Sequence, residues 1–179
     1  MNQDSTDKER KAHEREKHQL SILNSGNTNA ILTVLEEIRE IGSLSLLPAI
    51  FDLMLVTDND EIIRSCNSLL SDLKNTEART YMVEAIQDDK YEAISQNLVA
   101  ACWQSGFDYS EYIEVFTTIV LSNSFETSIE AFTVIENSLN QLNDSGKNKL
   151  ILTLKSNTGQ VEPEKRPLIE ELIETVKRF

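Results

Sequence analysis

The sequence is short of the residues that interrupt regular structure. Five glycines and three prolines occur in 179 residues, a composition that suits helices joined by polar turns. No apolar run is long enough to cross a bilayer as a helix. The charged opening residues lack the apolar core of a secretory leader, so cytoplasmic residence is the expectation. Histidine is confined to His13 and His18, and their i, i+5 spacing is poor for chelation from one helix face. The two cysteines, Cys66 and Cys102, fall on apolar stripes and read as core thiols rather than a disulfide or a metal pair. No nucleophile elbow, phosphate loop, zincin motif or calcium loop is present. Paired carboxylates such as Glu36-Glu37 and Asp88-Asp89 are plentiful, but acid catalysis needs a buried carboxyl with a raised pKa. They read as solvated faces and turns. No catalytic residue, no metal ligand and no cofactor is assigned.

Positive charge is also in deficit. The formal net charge is −13. Residues 1–20 carry five acidic and five basic side chains, so the whole deficit lies in the rest of the chain. Such a surface repels phosphate backbones and anionic membranes. Neither a nucleic acid nor a membrane is expected as partner; a protein with a basic or neutral segment is.

What the chain does have is helical periodicity. In residues 47–73, Leu47, Ile50, Phe51 and Met54 recur at i, i+3, i+4, i+7, with Pro48 in the opening turn where its missing N–H costs little. Asp58-Asn59-Asp60 then breaks the run, as turn and N-cap residues do. A second stripe follows: Ile62, Ile63, Cys66, Leu69, Leu70 and Leu73. Each helix is too short and too one-sided to stand alone. Arg64, inside the second stripe, reads either as a partner-binding cation or as an ion pair with Asp58 or Asp60 that ties the turn to the helix.

The same pattern recurs. Helices are expected over about 28–41 (Ile31, Val34, Leu35, Ile38 and Ile41 inward), 76–87, 91–105, 109–121 and 125–141 (Phe125, Ile129, Phe132, Ile135 and Leu139 inward). Ile31, Leu35 and Ile38 map onto Ile62, Cys66 and Leu69 at an offset of 31, and those onto Ile94, Leu98 and Ala101 at 32. Leu98, Ala101 and Ser105 map onto Phe132, Ile135 and Leu139 at 34. A period in the thirties with one helix pair per repeat marks an α-solenoid.

Over roughly residues 27–140 the chain resembles HEAT repeats. Pro48 in a first helix, Asp58 or Asp60 in the turn and Ile63-Arg64 early in the second helix carry the resemblance. It implies an all-α, α-α superhelix of stacked helix pairs whose second helices line a concave face. It also brings in two HEAT-like enzyme groups, bilin lyases and DNA-alkyl glycosylases. The negative charge argues against DNA as a substrate, and no histidine or cysteine stands plainly exposed to handle a bilin.

Residues 1–25 read as a charged arm, flexible or frayed-helical, in which Glu9, Arg10, Lys11, Glu14, Arg15, Glu16 and Lys17 pair at i, i+4, with Leu20, Ile22 and Leu23 as a short anchor. Residues 26–179 read as one repeat domain. Its last helix, about 164–178, has Leu168, Ile169, Leu172, Ile173 and Val176 on one face and Glu170, Glu171 and Glu174 opposite. That suits either a cap on the open end of the stack or a docking helix. Trp103 lies off the Ile94–Leu98–Ala101 stripe and reads either as an interface anchor or as packing between repeats. Arg39, Arg64, Asn67 and Gln96 fall on the same general ridge. The expected function is a non-catalytic protein-interaction or scaffold module with an acidic surface, and these five residues are its candidate contacts.

Overall fold

The computed structural model describes the backbone of residues 3–179 and the side chains of residues 10–179. Ten α-helices and no strand make up the described residues. Two compact units divide the chain, Met1–Asn75 and Thr76–Phe179.

In the first unit, α1 (Gln3–Leu23), α2 (Thr28–Ile41), α3 (Leu47–Val56) and α4 (Asp60–Ser71) form two helix pairs. α1 packs on α2, and α3 on α4; across the pairs, α1 meets α3 and α2 meets α4. The seam is filled by Ile31, Val34, Leu35 and Ile38 from α2, Leu47, Ile50, Phe51 and Met54 from α3, and Ile62, Cys66, Leu69 and Leu70 from α4. These are the stripes that the periodicity marks out, with Leu53 added. Ile41 departs from them. It is 46% exposed, because Gly42 takes a left-handed φ of 73° and ends α2 there.

The charged segment at the start is helical. α1 is continuous over Gln3–Leu23, and Gln19 and Leu23 are buried. Leu23 and polar contacts together seat its last turns. Gln19 Nε2 donates to Glu37 Oε2 at 3.3 Å. Glu16 Oε1 accepts from Ser43 Oγ at 3.0 Å and Ser45 Oγ at 2.7 Å, which holds its carboxyl below the usual range. Of the expected anchor, Leu23 is buried, Ile22 is half-buried and Leu20 is exposed. The i, i+4 partnership expected of Glu9 lies outside the described side chains.

In the second unit, α5 (Ala78–Gln87), α6 (Ser95–Gln104), α7 (Ile113–Ser122), α8 (Phe125–Ser138), α9 (Asp144–Asn157) and α10 (Arg166–Arg178) make three pairs. α5 packs on α6, α7 on α8 and α9 on α10; between pairs, α6 meets α8, α8 meets α10 and α7 meets α9. In both units, then, first helices lie against first helices and second against second. This is an all-α repeat stack in serial order.

α8 is turned from the face the sequence marks. Phe125 and Ile129 are exposed and Phe132 is half-buried, while Ser128, Ala131, Val134, Ile135, Ser138 and Leu139 face inward. Small residues let α8 approach closely, and the Ser128 hydroxyl lies 3.1 Å from Val120 O and 3.4 Å from Ile119 O near the end of α7, and 2.8 Å from the O of Ser124, the cap of its own helix. A phenylalanine at that seam would leave those oxygens without this donor.

Eight of the helices begin in one of two ways. Asn27, Asn59, Ser124 and Asn143 cap α2, α4, α8 and α9 through their side-chain oxygens. In contrast, α3, α6, α7 and α10 each follow a 3₁₀ turn and have no side-chain cap. The helix expected over about 91–105 is accordingly a 3₁₀ turn, Asp89–Ile94, feeding α6. Before α10, the turn Pro163–Lys165 is pinned by a buried cation. Lys165 is 2% exposed and its Nζ donates to Asn123 O at 2.7 Å, at the negative end of α7. Burial pushes its pKa down, partly offset by Glu162.

Core and rim residues are separable by substitution. Leu98→Ala, at a fully buried position, is expected to cost about 2–5 kcal/mol. Ile41→Ala and Ile129→Ala, at exposed positions, are expected to cost less than about 1 kcal/mol each. Urea unfolding midpoints check both; equal losses at all three positions would contradict the burial pattern.

Candidate functional site

The five sequence-selected contacts fall in both units. In the first, Arg39 closes α2 onto the end of α4 by pairing with Asp72, with Glu36 Oε2 at 3.7 Å from its other nitrogen. Arg64 and Asn67 sit one turn apart on α4. Arg64 is exposed and forms no ion pair with Asp58 or Asp60; these acids are themselves exposed, and Asn59, not an aspartate, caps the helix. The structural pairing expected of Arg64 is therefore replaced by a free guanidinium on the helix face. Asn67 is half-buried. In the second unit, Gln96 is exposed near the start of α6, and Trp103 is half-buried. The indole Nε1 of Trp103 donates to Glu130 Oε2 on α8 at 2.6 Å, so this ring joins two second helices.

Neither thiol is placed for chemistry. Cys66 and Cys102 are free and fully buried, and burial pushes both pKa values up to about 12. Tyr109 beside Cys102 is likewise buried and moved upward, its ring edge-on to Phe116 at 5.4 Å. His13 and His18 are exposed on α1. Among the described residues no group of three His, Cys, Asp or Glu side chains is placed to hold a metal ion.

The feature that the sequence does not point out is a groove in the second unit. Residues 76–144 carry twelve acidic and two basic side chains, a net −10. Within them, the end of α5, the 3₁₀ turn Asp89–Ile94, the start of α6 and the outer face of α7 enclose an open cleft of about 580 Å³. Asp88, Asp89, Glu92 and Glu114 line it together with the apolar Ile86, Val115 and Ile119. The local reason is the turn. Tyr91 and Ile94 go into the core, which leaves Asp89 and Glu92 facing out. Asp88 Oδ1 accepts the Lys90 N–H at 2.9 Å and caps the turn. The Lys90 ammonium is directed to Tyr91, 4.7 Å from the ring centroid. Glu114 pairs with Lys149 across an exposed surface, a weak association in solvent. Asp89 and Glu92 have no cation partner among the described residues. The sequence shows the Asp88-Asp89 pair; what it conceals is that α7 brings Glu114 to the same cleft.

The buried thiols make a pH-dependent contribution of known sign. In the unfolded chain they ionise near 9.0, whereas the folded chain holds both protons to about 12. The unfolded state therefore binds fewer protons above pH 9, and stability falls as pH rises through that window. Urea midpoints at pH 8 and pH 10.5 are expected to drop more for the native chain than for a Cys66→Ala/Cys102→Ala variant. Equal drops would contradict buried, protonated thiols.

No family model and no curated protein matches the chain. Among solved structures it is similar to a designed armadillo repeat protein, at 15% identity and a TM-score of 0.33, over 89% of this chain and 98% of that one.

Proposed function

We propose that this chain is a non-catalytic interaction module that holds a basic segment of another protein against the acidic face of residues 76–144. The observation that carries the reading is the charge of that stretch, net −10, with Asp88, Asp89, Glu92 and Glu114 lining one cleft beside apolar side chains. Helical-repeat stacks offer extended surfaces and need no active site. An acidic one attracts cationic segments and speeds their encounter. Gln96, exposed on α6, belongs to the same unit and is included in the contact surface. Arg64 and Asn67 form a separate patch on α4. In this reading the helix pairs are HEAT-like, and α10 serves as the terminal cap. It buries Ile169, Leu172, Ile173 and Val176 and turns Glu170, Glu171 and Glu174 outward.

Calorimetric titration of the full chain with a Lys-rich peptide tests the reading. Binding is expected at low ionic strength and should weaken on the order of tenfold between about 0.03 M and 0.3 M salt. The same peptide with acetylated lysines is expected not to bind. Affinity that ignores salt and acetylation would contradict the reading.

A further inference from the structure

The cleft contains one group that carries the argument past charge alone. Ser95, the first residue of α6, is only 7% exposed and lines the cleft. Its hydroxyl has no hydrogen-bond partner among the described residues, and no side-chain polar atom sealed from solvent among them lacks one. The Ser95 oxygen is thus reached through the cleft. Hydroxyls this deeply placed are normally bonded, so Ser95 offers the cleft an oxygen that no other described side chain or backbone group occupies.

We infer that the cleft is the anchoring site for a single lysine side chain of the basic partner; this rests on the function proposed above. Ile86, Val115 and Ile119 provide apolar wall for a four-carbon stem. The ammonium at the tip of that stem has three N–H donors and no acceptor. Ser95 Oγ accepts one, and the unpaired carboxylates of Asp89 and Glu92 neutralise the charge. Lysine is favoured over arginine because no aromatic ring lines the cleft, whereas a guanidinium gains much of its affinity by stacking. The occupant is an organic cation rather than a metal ion, because the acidic groups around the cleft do not converge on one ion-sized point.

The test is the titration of the full chain with the Lys-rich peptide, repeated on three variants. Ser95→Ala is expected to weaken binding about three- to fivefold, and Asp89→Asn/Glu92→Gln about tenfold. A control with the same change in net charge outside residues 76–144, Glu164→Gln/Glu170→Gln at two exposed positions, is expected to stay within about twofold. Urea midpoints of all variants establish that each is folded. An unchanged Ser95→Ala affinity, or a control loss as large as that of the cleft variant, overturns the lysine site while leaving the function reading in place. Failure of the native chain to bind the peptide at low salt overturns both.

Discussion

Everything in this molecule follows from the inability of its helices to stand alone. Most contain ten to fourteen residues, a length at which isolated helices are marginal in water. Within each unit the apolar sides are covered by the paired helix and, for α1, α2, α6, α7 and α8, by the helix two places on. Burial then supplies what local propensity does not. The consequence is a surface that is free of structural duty on its outward faces, which is where the acidic residues collect.

Polar groups settle how close the helices come. Ser128 lets α8 press onto α7 because its hydroxyl reaches the carbonyls of Ile119 and Val120 near the end of that helix. Trp103 and Glu130 bridge α6 and α8, and Lys165 holds the approach to α10 from beneath. On the other unit, Arg39 with Asp72 does similar work between α2 and α4. Several of the polar and charged side chains that seem available in the sequence are therefore occupied internally. Those left over, Asp89 and Glu92 foremost, are the ones with capacity for a partner.

The fold was legible in the sequence because apolar spacing reports burial directly. The stripes of α2, α3 and α4 were foreseeable, and so was the pairing of α2 with α4 that brings the Ile31 and Ile62 faces together. Three things were not. Burial of the last turns of α1 depends on Gln19 and Glu16 meeting polar partners on distant segments, which leaves no periodic trace. The rotation of α8 depends on a hydroxyl finding carbonyls, so Ser128 outranked Phe125 and Ile129 for the seam. Arg64 looked like half of an ion pair, but Asn59 took over the capping that an aspartate would have performed. The cleft was hardest to foresee, since it joins Asp88–Glu92 to Glu114 and Ser95 through packing of α7, and sequence spacing alone does not bring those residues together.

Serial order of contact is the claim from which the rest descends, and methyl-to-methyl nuclear Overhauser effects in the full chain measure it most directly. The account predicts dense cross-peaks linking α2 with α4, α6 with α8, and α8 with α10. Dense cross-peaks joining α5 to α10, as helices gathered around one common centre would give, would contradict it.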